Sequence, residues 1–563
     1  VNPQPTPNPL QTLTSKILRS KAREPVVAGS EFLRIPVDMV LGHDATIALL
    51  IERFKKAGKR IWDPARCFFA ADHFTPPSTP ERADILKRYL GFIREEGVPD
   101  QLLYRGISHQ LMVEDRRCQP GMVICGADSH TVMAGALGAF ACGMGSTDIL
   151  ALLLTGEVIL SIPESIKVEF TGTLPPYLFG KDLALEIIRQ LGEGGAVDQA
   201  LEYWDLTAGG LPMESRMTVA NMAVEAGATN GVFVPDDKLR AFLRARDAAA
   251  GGALEGFEAR WMMPDAGAPY VRTLRLDCDG LQPLLALPGD LGRIVPARDA
   301  EPMAVQQVFI GSCAGGRLED LAGDHAGEPG GVPAVREERH LRGADRRRSD
   351  GDELVVRGVR GHRQGLDRRR RGVCLDVEPK LSRADGLAGR LDLSGLAADG
   401  GGGGADRQGG RSARGDGRRD ERGDARFPWE PVAGGGDRRC GVKRQGHALL
   451  MGDNVNTDVL HPSRFFSLDD RTVRSGFLQA AAGYEAMGGT DLSGKIIVAG
   501  DNFGCGSSRE TGARAFLLAG VQAVVAKSLA RIFSRNVRNL GLPAVECPEL
   551  PELPADTQVE IDL

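Results

Sequence analysis

The sequence predicts an α/β protein, layered α/β/α over its N-terminal part, with a smaller β/α unit at the C-terminal end. Three observations carry that prediction. From about Leu13 to Asp320, helix-like and strand-like segments alternate with Gly-rich connections, as in parallel sheets covered by helices. A second block with the same alternation begins at Gly446. Between them, from about Ala322 to Cys440, Gly, Arg, Asp and Ala dominate and no period is sustained. The expected organisation is therefore 1–321, 322–440 and 441–563, and 563 residues leave room for several sizeable cores.

Taken in order, Asn2–Pro9 is Pro-rich and reads as a loose tail with no charged–apolar–small leader. Cys67–Ala70 is an apolar strand, Ala83–Glu96 has apolar residues at helical spacing, Ile166–Phe170 is a short strand and Lys181–Leu191 a helix. The most apolar run, Ile149–Ile162, contains Gly156 and Glu157 and is too short to span a bilayer. Val308, Phe309 and Ile310 read as a strand running into Gly-Ser-Cys, with a helix starting at Leu318-Glu319-Asp320. In the C-terminal block, Lys495–Ala499 and Ala523–Ala526 are strands and Ala513–Ala519 a helix. Ten scattered cysteines form no secreted disulfide framework. A net charge of −6, from 69 basic and 75 acidic residues, makes the chain as a whole no polyanion binder. A reducing, cytoplasmic setting is expected, with no membrane and no nucleic-acid partner.

The chemistry-bearing residues sit in short motifs. A strand over 308–310 would deliver Cys313 to a loop, the usual place for a metal-binding thiolate; the plain alternative is a buried structural cysteine. Asp72-His73 places a carboxylate beside an imidazole, which can hold its tautomer and raise its pKa as a general acid needs. His109, in Gly-Ile-Ser-His-Gln, and His130, in Gly-Ala-Asp-Ser-His-Thr with Asp128 and Ser129, are further loop histidines. Any one of these alone would be ordinary polarity. In GDNFGCGSSRE, Gly504 and Gly506 are expected to free backbone N–H groups as an anion-binding nest around Ser507 and Ser508, with Arg509 able to pair a carboxylate.

In chain order, the three histidine motifs, Asn221–Thr229, Ile310-Gly311-Ser312-Cys313 with Gly316-Arg317, and the Ser-Ser-Arg-Glu string together resemble the aconitase superfamily. The likeness is greatest to its isopropylmalate-isomerase branch, with large- and small-subunit parts in one chain. It implies aconitase-like layered domains, a C-terminal swivel domain and a hydro-lyase that isomerises hydroxy di- or tricarboxylates by dehydration and rehydration. It further implies a [4Fe-4S] cluster held by three cysteines, Cys313 the first, whose open iron acts as a Lewis acid. By motif, Ser507 is then the base, Arg509 and Ser508 bind carboxylate, and His73, oriented by Asp72, protonates the departing hydroxyl. His109, His130 and Glu225 line the site, with His43, Asp44, Asp128, Ser129 and Asn221 on the substrate side. The chain departs from the pattern at Ala314-Gly315, at Thr511-Gly512 and over His461–Ser467. Two of the three cysteine ligands are missing, because Cys374 and Cys440 are too far apart in sequence to be the close pair a cluster needs. The alternative readings are an inactive, cluster-less product and an RNA-binding relative using the Arg-rich segment.

That segment, 322–440, has three readings. Its composition suits a disordered linker, and its arginines a basic RNA-binding stretch, which the scarcity of aromatics weakens. The third is translation out of frame. Taking the last two bases of each codon with the first of the next, Val356-Arg357 and Val359-Arg360 each permit Cys, giving a Cys-x-x-Cys pair. Leu375–Gly386 permits a Ser-Asn-Arg-Asn-Phe run, and the codons from Asp392 permit Ala-Ser-Pro. All three resemble the family's missing part and fall in family order, so the out-of-frame reading is preferred.

Overall fold

Each of the three main sheets is built from short apolar strands whose C-terminal ends open into polar loops. The structure, a computed structural model, describes residues 10–23, 31–99, 102–250, 260–288, 291–307, 309, 311–317 and 443–562. The 322–440 segment, the helix start expected at Leu318–Asp320, and Val308 and Ile310 of the expected strand lie outside the described residues.

The first sheet has five parallel strands in the order Leu102–Leu103, Cys67–Ala71, Met39–His43, Val123–Gly126 and Phe140–Gly143. Strands in such sheets are covered on both faces, and accordingly every residue of Met39–His43 and Cys67–Ala71 is buried. The second sheet is also parallel, in the order Asn230–Phe233, Ala200–Asp205, Ser165–Thr171 and Arg272–Asp277. The third runs Ala544–Glu546, Ala523–Ala526, Lys495–Ala499, Lys443–Leu450 and Gln558–Asp562, parallel except for the last strand.

The helices follow from caps and spacing. Pro80–Glu95 begins one turn before the expected Ala83 because Thr79 caps it and Pro80 takes the first turn. Its Leu86, Tyr89, Phe92 and Ile93 are buried in the first sheet's core, and Ile85 packs with Ala45, Ala48 and Phe74. Gly180–Leu191 covers the second sheet, and Glu510–Leu518 the third. Residues 443–562 have an apolar core of their own around Phe477, Phe503, Phe516 and Phe533. All described residues belong to one compact unit. Among them no helix is long and apolar enough to cross a membrane.

In parallel sheets the strand C-termini gather at one edge, where ligands bind. In the first sheet that edge carries His43, Asp72-His73 and Asp128–His130. In the third it carries 451–457, 500–509 and 527–531.

Candidate active site

The loop ends of the first sheet build the acid–base array. Asp44, fully buried at the start of the helix Asp44–Lys56, accepts the backbone N–H groups of His73 at 3.1 Å and Phe74 at 2.7 Å. This fixes the turn so that His73 lies flat on His43, ring centroids 3.8 Å apart and planes 8° from parallel. Asp72 holds the same imidazole at its edge. His73 Nδ1–H donates to Oδ1 at 2.7 Å, while Oδ2 accepts the Ser108 N–H at 2.7 Å. Burial alone would lower the His73 pKa, but the hydrogen bond and charge of Asp72 outweigh it and raise it to about 9. For Asp72, burial pulls upward and is outweighed by the bond to His73, which brings the carboxyl to about 2. Burial, and then the charge of His73, push His43 below its ordinary value. The two stacked rings are thus shifted in opposite directions, with His73 41% exposed.

Asp128 joins this array to a second one. It caps the turn Ser129–Leu137 by accepting the His130 N–H at 2.7 Å, and its carboxylate lies 3.5 Å from His109 Nδ1. Burial would raise it; His109 first, then His130, hold it well below the usual range. His130 Nε2 meets Glu225 Oε1 at 3.0 Å, Ser129 Oγ lies 3.5 Å from His130 Nδ1, and Asn221 Nδ2 lies 3.3 Å from His109 Nε2. Cys313 completes this side, its Sγ 3.7 Å from His130 Nδ1 and its carbonyl oxygen 3.4 Å from His109 Nε2. Burial alone would raise the thiol, but hydrogen bonds to His109 and His130 bring it to about 6.

The route by which Cys313 arrives differs from the expectation. Phe309 is in no strand and is 50% exposed, and the chain turns at Ser312 with φ 76°. Side chains hold the loop instead. Thr218 Oγ1 donates to the Ala314 carbonyl at 3.0 Å, and Arg317 donates to Gln110 Oε1 at 3.0 Å and Thr218 Oγ1 at 2.9 Å.

The C-terminal loop also differs. Gly504 (φ 80°) and Gly506 (φ 96°) adopt left-handed backbone, and a Cβ at Gly504 would stand 2.2 Å from the Phe533 ring. The expected anion nest is not open at two of its groups. Gly504 N–H donates to the Val455 carbonyl at 2.9 Å, and Ser507 N–H to Thr457 Oγ1 at 3.1 Å. Arg509 Nε donates to Ser507 Oγ at 2.8 Å, and its terminal nitrogen pairs with Asp458. Ser508 is buried and its hydroxyl donates to the Ala127 carbonyl at 3.2 Å. Thr457 is a residue the sequence reading did not single out; its signal is Asn456 capping the short helix Thr457–Leu460.

A cleft of about 800 Å³ brings the two halves together, lined by Ser129, His130 and Glu225 on one side and Asn456, Asp458 and Ser507 on the other. Glu225 Oε2 and Asn221 Oδ1 are buried with no hydrogen-bond partner among the described residues, as at sites that take up a further group. Asp44 is not among the residues lining this cleft, and its oxygens are occupied by the His73–Phe74 backbone.

A [4Fe-4S] cluster requires several converging thiolates. Among the described residues, Cys313 is the one cysteine placed against His109 and His130. Cys125 and Cys142 pair with each other 3.9 Å apart, and Cys505 Sγ lies 3.6 Å from Glu193. The described residues therefore do not supply the ligand set. His43, Asp44, Asp72 and His73 place donor atoms within 4.8 Å of one another, but stacked rings and occupied carboxylates make this a hydrogen-bonded array rather than a metal centre.

The aconitase family (aconitate hydratase) model matches residues 15–325, and the aconitase C-terminal domain model matches 470–550. The chain is 37% identical over 313 residues to a 3-isopropylmalate dehydratase large subunit of Methanopyrus kandleri, covering 55% of this chain and 73% of that one. It is 39% identical over 315 residues to the large subunit of Nitratidesulfovibrio vulgaris, with the same coverage. A solved 3-isopropylmalate dehydratase of Methanocaldococcus jannaschii is 36% identical over 21% of this chain and 71% of its own, with a TM-score of 0.19, too low to bear on the fold. On the family match and these relatives, the chain belongs to the aconitase family and is of the hydro-lyase type.

Proposed function

We propose that the chain is built to remove water from a small 2-hydroxy dicarboxylate of the 3-isopropylmalate type and return it at the neighbouring carbon. One observation carries this reading: Ser507 and the His130–Glu225 pair line a single cleft. Arg509 Nε donates to Ser507 Oγ at 2.8 Å, so a guanidinium stabilises the oxyanion that a serine base must approach. Ser507 Oγ takes the proton on the carbon next to a carboxylate. His73, kept protonated by Asp72, gives its Nε2 proton to the departing hydroxide, which leaves as water. The C–H and C–O bonds break, the double bond forms, and the reverse sequence at the adjacent carbon completes the isomerisation. Substrate carboxylates are assigned to Arg509 and Ser508, and the substrate side to Ser129 and Asn221.

The family's [4Fe-4S] cluster would supply a Lewis acid at Cys313, but the chain as given presents one thiolate there. The acid–base half of the site is complete and the metal half is not. We assign the gap to 322–440 being out of frame, which keeps 1–321 and 441–563 as the two in-frame parts. Reading the coding DNA tests that assignment. Compensating frame changes near codons 322–350 and 410–440 support it, and a single verified frame through both regions overturns it. The activity itself is tested by following dehydration of 3-isopropylmalate, citrate and dimethylmalate by a frame-restored chain. Turnover of the first alone is expected, and turnover of none defeats the substrate reading.

A further inference from the structure

The helix Ser146–Thr155 has no N-cap of its own. Its cap position is Gly145, which offers no side chain, so the first-turn N–H groups need an acceptor from elsewhere. The acceptor comes from the C-terminal part of the chain. Glu510 Oε2 accepts both the Thr147 N–H and the Thr147 hydroxyl at 2.8 Å, and Oε1 lies 3.3 Å from Arg53 Nη1. Glu510 is buried and stands three residues after Ser507.

The surrounding contacts repeat the pattern. Arg535 donates to both oxygens of Asp148, at 2.9 Å each, and Asn539 Nδ2 donates to the same carboxylate at 3.1 Å. Arg531 Nη2 donates to the Gly143 carbonyl at 2.7 Å. Asn536 Nδ2 donates to the Ser508 carbonyl at 3.3 Å, and a Cβ on Gly145 would fall 1.6 Å from Asn536 Oδ1. The backbone at Gly145 has ordinary extended angles, φ −76° and ψ 166°, so close approach, not conformation, calls for glycine there.

We propose that Glu510, capping this helix in trans, is the positioning residue that sets Ser507 against the N-terminal half of the site. Asp148 with Arg535, and the bare Gly145, form the rest of the clasp. A carboxylate suits the place because the helix N-terminus carries partial positive charge, and its bond to Thr147 shortens the chain path to Ser507 to three residues. The inference rests on the reading of Ser507 as base, but its test does not.

Hydrogen exchange followed by mass spectrometry on the full chain decides it, with peptides covering 145–155 and 504–512. Glu510→Ala should speed exchange in both peptides, by about tenfold or more at Thr147, the loss of a charge-assisted bond. Glu510→Gln, which keeps one carbonyl acceptor, should restore most of the protection. Gly145→Ala, made on the opposite partner, should reproduce the same two-sided loss by displacing Asn536. A Glu510→Ala effect confined to 504–512, or a Gly145→Ala variant protected like the parent at 504–512, overturns the proposal. Failure of the base assignment would appear elsewhere, as a Ser507→Ala frame-restored chain that still turns over, with exchange at both peptides unchanged.

Discussion

His73 shows how far one residue's chemistry could be read in advance. Its adjacency to Asp72 announced the pair, and the 2.7 Å contact is the geometry adjacency allows. What adjacency could not show is Asp44, 29 residues earlier, holding the His73 and Phe74 backbone. That long-range contact turns a surface-like dipeptide into a fixed acid stacked on His43. The His73 imidazole should therefore titrate near 9 by NMR, and Asp72→Asn should bring it down toward the ordinary 6.5. The stability linkage follows in sign. A histidine raised from 6.5 to about 9 stabilises the fold fully below 6.5 and loses that contribution as pH rises through 9. Asp72, lowered from 3.8 to about 2, contributes above 3.8 and loses it as pH falls through 2. A urea midpoint that climbs between pH 7 and 10 would contradict the first half. For the base, Ser507→Ala in the frame-restored chain should lower kcat by about 10²–10⁴-fold, the range for a positioned proton-transfer group. Thr457→Val, which removes the acceptor of the Ser507 N–H, should have a smaller effect on the same assay.

Elements were the most legible level where the apolar pattern was long or symmetric. Lys495–Ala499 and Ala523–Ala526 occupy the ranges expected of them. Helix starts moved outward by a turn, at Pro80 and at Glu510, because capping and first-turn residues lie ahead of the apolar periodicity. Of the strand expected over 308–310, Phe309 alone is described, and it lies in no strand. Some anchors have no local signature at all. Glu202, fully buried, accepts the N–H groups of Leu13 at 3.0 Å and Thr14 at 2.8 Å, the Ser165 hydroxyl at 2.9 Å and the Tyr270 hydroxyl at 2.9 Å. It ties the helix Leu13–Lys21 to the second sheet. Glu202→Ala should cost about 2–4 kcal/mol, because three buried donors and the half-buried Tyr270 hydroxyl lose their acceptor. The check is the shift in urea midpoint, together with faster exchange across 13–21 than across 123–126.

At the scale of the whole molecule, residues from both described ends of the chain line one cleft. The motifs made the family and the two ends legible, because each is a short string whose order along the chain is itself informative. Which carboxylate caps which helix across the two parts was not legible, since Glu510 and Thr147 are 363 residues apart. We propose that the chain carries the acid–base half of an aconitase-family site and that the thiolate half is missing because 322–440 is out of frame. Anaerobic reconstitution with iron and sulfide tests it most directly, comparing the chain as given with a frame-restored chain. Iron and sulfide per chain, the cluster's visible absorbance and dehydration of 3-isopropylmalate are measured on both. The prediction is that the frame-restored chain takes up about four irons and four sulfides and turns over, while the chain as given retains neither cluster nor activity. A cluster and turnover in the unaltered chain would contradict the claim.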